Sequence, residues 1–245
     1  MLTSVRSLMA ATILAGFVLA AAPAVAQEEE GPAIEFAGNT SLVSEYRFRG
    51  VDLSGGDIAI QGGITASTSG FYAGAWGSSL DENSVGYGHT ELDLYAGYAG
   101  DLAEGVTFDV SGIYYLYPNA PVGDFDYYEF IAKTGISVGP GTVTLGVGYS
   151  PKQDSLGGTD NLYLYSDVGV GVPGTPVTLT GHLGYTDGFL TYTADGDAMD
   201  WGVGATVALN DTLSVGAQYV GADGRGTMAY PFVDDTVVFS VTAAF

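Results

Sequence analysis

The sequence predicts an all-β fold, a single transmembrane antiparallel up-and-down β-barrel of about 12 strands. Three observations predict it. Apolar and polar residues alternate with period two from Ile34 to the last residue, Phe245. The connections between alternating stretches are short and long in turn. Apart from a stretch near residue 1, no long unbroken apolar run occurs, so spanning helices are not indicated.

That first stretch, MLTSVRSLMAATILAGFVLAAAPAVAQ, carries Arg6, an apolar core from Leu8 to Ala22, and Ala24-Val25-Ala26 before Gln27. A basic start, an apolar core and an A-x-A site read as a secretory signal peptide over 1–26. The core is short for a membrane span of about 20 residues. Residues 27–245 then form one barrel domain, with no linker or helical window inside it.

The barrel stretches follow in order. In 34–49, Ile34, Phe36, Leu42, Tyr46 and Phe48 oppose Glu35, Asn39, Glu45, Arg47 and Arg49. In 57–67, Ile58, Ile60 and Ile64 oppose Asp57, Gln61 and Thr65. The stretch GFYAGAWGS at 70–78 is strand-like, but its facing is ambiguous. Alternation continues through 89–99, 106–117 and 127–138, where Leu92, Leu94, Val110 and Phe130 oppose Glu91, Asp93, Asp109 and Glu129. The later stretches begin near Thr142, Leu162, Val177, Asp200, Leu213 and Val237. Tight turns fall at 67–70, 100–105, 139–141, 173–176 and 210–211; long acidic loops fall at 50–56, 80–88, 118–126, 151–160, 187–199 and 221–235.

Period two alone fits a soluble barrel with an apolar centre as well as a membrane barrel with a polar one. Three features favour the membrane form. Aromatic residues stand near strand ends on the apolar face, at Phe36, Phe48, Tyr98, Tyr128, Tyr149, Tyr185, Trp201 and Tyr219, as interfacial girdles require. The polar face is rich in Gly, Ser, Thr and Tyr and poor in Lys, unlike a surface in bulk water. The alternating stretch VVFSVTAAF ends on Phe245, suited to closing against the first strand. In hydrocarbon only a closed barrel pairs every backbone group of a sheet.

Composition narrows the partners. The chain has 6 Lys and Arg against 28 Asp and Glu, a formal net charge of −22, and no Cys. Loss of the leader removes Arg6 and no acid, so the mature chain is more negative still. Such charge argues against nucleic acid and against anionic lipid surfaces as direct partners. It leaves outer-membrane lipid and lipopolysaccharide, the outer-membrane assembly machinery, and small solutes or cations. Divalent ions are expected to bridge the loop acids Asp81, Glu82, Asp124, Asp126, Asp195, Asp197, Asp200, Asp234 and Asp235 to lipopolysaccharide phosphates. TADGDAMD at 193–200 lacks the twelve-residue frame and terminal Glu of a calcium loop. No cofactor or metal is called for.

The stretch SLVSEYRFRGVDLSGGDIAIQGGITASTSGFYAGAWGSSLD at 41–81 resembles the opening of the TorF-type porins of proteobacteria. ELDLYAGYAG at 91–100, YYLYPNA at 114–120, DYYEF at 126–130 and HLGYT at 182–186 extend the resemblance over nearly the whole mature chain. It implies an outer-membrane barrel of a Gram-negative bacterium and brings no catalytic residues with it.

The candidate pore-lining residues are those on the inward parity. Glu45, Arg47 and Arg49 project from the first stretch; Glu91, Asp93, Glu129, Lys133, Asp167 and His182 stand further round. These charges either order passing ions at a constriction or pair across the barrel and hold its shape. Tyr95, Tyr115, Tyr117, Tyr127, Tyr163 and Tyr165 share the inward side, where volume filling is the simpler role and a sugar-binding wall the alternative. An enzyme would need His89 or His182 with a partner such as Asp93, Asp167 or Ser111; no nucleophile elbow or zinc spacing is present. The expected function is passive diffusion of small hydrophilic solutes, with cation preference. The alternatives are a barrel lipid hydrolase or protease, and an occluded structural barrel.

Overall fold

Alternation of side chains obliges each stretch to bury one face, and closure obliges the two end strands to pair. The computed structural model meets both demands; it describes residues 33–245 except Val85, Val122, Asp124, Tyr192, Ala194 and 224–230. The expected leader, 1–26, lies outside the described residues. The barrel strands are β1 (Glu35–Val43), β4 (Ala59–Thr68), β5 (Phe71–Ser79), β6 (Thr90–Ala103), β7 (Val106–Leu116), β8 (Tyr127–Val138), β9 (Gly141–Ser150), β10 (Asn161–Gly171), β11 (Val177–Gly188), β12 (Asp197–Ala208), β13 (Leu213–Ala222) and β14 (Thr236–Ala244). Each pairs antiparallel with its chain neighbours, and β14 returns to β1 with Asn39 opposite Ala244 and Val43 opposite Ser240.

Closure is completed at the last residue. The Gly38 N–H donates to the Phe245 carbonyl at 2.8 Å, and the Phe245 N–H donates to the Gly38 carbonyl at 2.9 Å. A Cβ on Gly38 would stand 2.7 Å from the Phe245 ring, so the missing side chain lets the ring lie over β1.

Facing is settled by exposure. Leu92, Leu145, Val203 and Phe239 are 38%, 48%, 60% and 59% exposed, while Glu91 and Asp167 are 1% and 6% exposed. The apolar parity therefore looks outward and the charged parity inward. A soluble barrel would have the opposite sense. The tight turns form one rim, among them Ser69-Gly70 with φ of 49° and 86°; the long loops form the other.

The first stretch departs from expectation. It is not one strand over 34–49: β1 stops at Val43, and the chain folds into the barrel. Short strands β2 (Arg47–Phe48) and β3 (Val51–Asp52) pair as a hairpin inside it. Their two turn residues, Arg49 and Gly50, have φ of 50° and 79°, as a tight two-residue hairpin turn requires. The Tyr46 N–H donates to Ser54 Oγ at 2.8 Å, and the Leu53 N–H donates to the Tyr46 carbonyl at 2.8 Å. Tyr46, Phe48, Val51 and Leu53 are all buried. Tyr46 meets Trp76 edge-on at 5.6 Å between ring centroids, and Phe48 meets Tyr115 at 6.0 Å. Burying each such side chain contributes about 1.5–3 kcal/mol. Four of them hold the hairpin as part of the folded core, not as a loose loop. Phe48 consequently takes no place in the outer aromatic girdle.

Candidate functional site: the lumen and its hairpin

The hairpin crosses the lumen at the long-loop half. Its tip meets the far wall: Arg49 Nη2 lies 2.7 Å from both Glu129 Oε1 and Glu129 Oε2 on β8. The guanidinium carbon sits 4.1 Å from the ring centroid of Tyr163 on β10 and 4.7 Å from that of Phe48. At Gly50 an added Cβ would come within 2.9 Å of the Gly221 carbonyl and 3.2 Å of Asp200 Cβ, so the turn abuts β12 and β13. Arg47 pairs with Glu45 and donates through Nη1 to the Gly50 and Phe232 carbonyls, each at 2.9 Å. Glu45, Arg47 and Arg49 thus lie inside the barrel, on the hairpin and its approach and not on a wall strand.

The wall beneath the tip carries a second network. His182 Nδ1 lies 2.6 Å from Asp167 Oδ1, and His182 Nε2 lies 2.7 Å from Asp200 Oδ1. Both ring nitrogens face carboxylate oxygens, an arrangement in which both donate, as in imidazolium. The Tyr163 hydroxyl is 2.9 Å from His182 Nε2 and donates to Asp200 Oδ1 at 3.2 Å. Asp200 was expected among the loop acids; it is buried on β12 because its inward parity places it under Gly50.

A third group stands on β6. Glu91 and Asp93 are buried, and Glu91 Oε2 and Asp93 Oδ1 find no hydrogen-bond partner among the described residues. Nearer the short-turn rim, Lys133 Nζ stands 3.6 Å from Asp109 Oδ2, and the Tyr72 hydroxyl donates to Asp109 Oδ1 at 2.7 Å.

The tyrosines divide by height. Tyr115 and Tyr127 stack at 4.5 Å and 18°, Tyr117 lies 6.5 Å from Tyr127, and all three are buried around the hairpin. They fill volume. Tyr163 and Tyr165 stack on each other at 5.3 Å. Toward the short-turn rim the inner wall is lined by half-buried small residues, Ser111, Thr144, Thr180, Thr206, Ser214 and Ser240. The long-loop half is packed around the hairpin, and the other half carries smaller side chains on its inner wall.

Trp76, Tyr72 and Asp109 joined this interior without being singled out by sequence as site residues. Tyr72 and Trp76 belong to the stretch whose two parities are both apolar, so its facing had no signal. His89 is exposed at the long-loop rim, 3.0 Å from Thr90 Oγ1 through Nδ1. Among the described residues His182 hydrogen-bonds to Asp167, Asp200 and Tyr163, and Ser111 is not one of its partners. No group of three or more His, Asp or Glu placed to hold a metal occurs among the described residues. Of the loop acids, Asp81 accepts the Ser84 hydroxyl at 3.1 Å and serves its own loop, while Asp124 lies outside the described residues. On the outer face, the hydroxyls of Tyr149, Tyr185 and Tyr219 donate to Asp160, Asp197 and Asp235, each across one long loop.

Among solved structures, the chain is similar to the NanC porin in a rhombohedral crystal form, with a TM-score of 0.58, 10% identity, and coverage of 86% of this chain and 99% of that one. It is similar to the KdgM porin at a TM-score of 0.57 and 8% identity, covering 85% and 98%. The KdgM porin in complex with disordered oligogalacturonate gives 0.55 and 9%, covering 87% and 98%. At such identities the likeness is one of fold: a closed barrel of twelve strands shared with porins. A search of curated proteins finds no match. A family model described as a bacterial protein of unknown function, Gcw_chp, matches residues 26–245, and the chain belongs to that family.

Proposed function

We propose that the protein is an outer-membrane channel for passive diffusion of small hydrophilic solutes, preferring cations. One observation carries this reading: a closed barrel with an apolar exterior encloses a polar, charged interior. Such a wall suits hydrocarbon outside and water inside. The resemblance of residues 41–81 to TorF-type porins and the fold shared with the NanC and KdgM porins support it. On this reading the short-turn rim faces the periplasm and the long loops face outward. The hairpin forms the narrowest passage, so unit conductance is small.

Cation preference rests on charge. At the constriction Arg47 and Arg49 are each paired with a carboxylate, so neither offers an uncompensated positive charge to a passing ion. The acidic chain as a whole draws cations toward the mouth. At the outer rim, Asp160, Asp197 and Asp235 stand beside girdle tyrosines at headgroup height, where divalent ions would bridge them to lipopolysaccharide phosphates. The assembly machinery of the outer membrane is the partner during folding.

Planar-bilayer recording of the full mature chain tests the channel. Small stepwise currents with cation preference in a salt gradient are expected, and replacing Arg47–Asp52 by Gly-Gly should raise the step size several-fold. Silence from both proteins would end the channel reading. It would favour a second one, an occluded structural barrel, for which the burial of Tyr127 and Glu129 on the wall and of Leu53 in the hairpin already speaks. An enzyme reading has less support, since the hydrogen bonds of His182 go to acids and a phenol, with no nucleophile among them.

A further inference from the structure

Three inward tyrosines follow one geometric rule. Tyr72 on β5 stands opposite Gly97 on β6, and its hydroxyl reaches Asp109 on β7 at 2.7 Å. Tyr95 on β6 stands opposite Gly74 on β5, and its hydroxyl shares a hydrogen bond of 2.5 Å with Thr65 Oγ1 on β4. Tyr163 on β10 passes Gly184 on β11 and donates to Asp200 on β12 at 3.2 Å. Neighbouring strands lie about 4.8 Å apart. A ring that starts on one strand and bonds the strand after next therefore runs along the circumference, not toward the axis.

The glycine between makes this possible. A Cβ on Gly97 would stand 2.5 Å from both Cζ and Oη of Tyr72. On Gly74 it would meet Tyr95 Cζ at 2.5 Å, and on Gly184 it would meet Tyr163 Cε2 at 2.7 Å. Tyr165 lies on Gly146 of β9 in the same way, with Oη 2.5 Å from the added carbon. Real Cβ atoms do not approach other atoms so closely, so a side chain at any of these positions displaces what lies there. At Gly146 the nearest atoms all belong to the Tyr165 ring and hydroxyl; at Gly97, Gly74 and Gly184 the Val110 carbonyl, the Ile64 carbonyl and Asp200 Oδ2 stand in the way as well, each within 2.6 Å of the added carbon.

We propose that Gly74, Gly97, Gly146 and Gly184 set the bore of this barrel. Each is a positioning residue that seats a tyrosine flat on the wall; at Gly97, Gly74 and Gly184 the hydroxyl of that tyrosine also ties alternate strands together. Tyr72, Tyr95 and Tyr165, and Tyr163 under the hairpin tip, are thus circumferential rings that leave the axis open.

The test has two arms, and only the first rests on the channel reading. It uses Gly146, where the nearest atoms all belong to Tyr165. Wild type, Gly146→Val and the double variant Tyr165→Ala/Gly146→Val are recorded in planar bilayers. Gly146→Val should lower the unit conductance at least two-fold, and adding Tyr165→Ala should restore it to the wild-type value or above. The second arm uses the absence of Cys. A single Gln218→Cys on the inner wall of β13 is labelled by maleimides of increasing size in reconstituted barrels. Gly146→Val should lower the largest reagent admitted, and Tyr165→Ala should reverse that. A silent wild type removes the channel reading and leaves the labelling arm to decide. If Gly146→Val labels like its parent, or if Tyr165→Ala does not relieve its block, the proposal is wrong. Heat-modifiable migration checks folding; if the valine does not fold, Gly146→Ala is read in the same cycle.

Discussion

Arg49 and Glu129, eighty positions apart in the chain, form a two-oxygen ion pair at 2.7 Å between the tip of the infolded hairpin and the wall of β8. Glu129 also accepts the Tyr115 hydroxyl at 3.3 Å and the Ser150 hydroxyl at 3.4 Å, so its carboxylate is surrounded by donors. Arg49→Met leaves that carboxylate buried without its cation, which should cost about 3–5 kcal/mol. Arg49→Met/Glu129→Met should recover most of the loss, because neither charge then remains buried. Urea unfolding in detergent measures both; equal losses in the single and double variants would show that the pair is not what the single variant breaks.

His182 binds two carboxylates at once, at 2.6 Å and 2.7 Å. His182→Gln removes the positive charge and leaves Asp167 and Asp200 facing each other in a buried wall. A loss on the order of 3 kcal/mol is expected, with Asp167→Asn added to the variant restoring part of it. An unchanged unfolding midpoint for His182→Gln would mean that the network adds nothing.

Glu91 and Asp93 are 1% and 2% exposed, so a passing ion does not reach them. On the channel reading, ion preference then comes from the acids of the long loops. In a salt gradient, Glu91→Gln/Asp93→Asn should therefore leave the reversal potential at the wild-type value. A shift toward zero would place the preference on β6 instead.

The outward sense of the apolar face makes its own prediction. Val203 points outward and Thr206 inward on the same strand. Val203→Arg should cost about 2–4 kcal/mol in a bilayer, as Arg does at the midplane of a barrel exterior. Thr206→Arg should cost under about 1 kcal/mol, because its charge stays in water. Folding into lipid vesicles, followed by urea titration, compares the two; equal costs would contradict the assigned facing.

Much of this was legible before any coordinates. The alternation of Leu92 and Leu94 with Glu91 and Asp93 is local, and a period of two allows only one sheet face for each set. Tight turns such as Ser69-Gly70 are local too. The hairpin was not legible in this way. Tyr46 and Phe48 continue the parity of Phe36 and Leu42, so nothing in the pattern marks the point where β1 ends. Length was the available signal: 34–49 is far longer than the 9–11 residues that span a bilayer.

By itself the sequence determined the twelve strands of the barrel, the apolar face of each except 70–78, and the two kinds of connection. These follow from short-range periodicity and turn chemistry, which neighbouring residues decide together. Tertiary structure alone decided that residues 44–54 turn inward, that Arg49 meets Glu129, and that Tyr72, Tyr95 and Tyr163 lie across glycines of the neighbouring strand. Those relations depend on register and on what fills a closed space, and neither is written in the residues of any one segment.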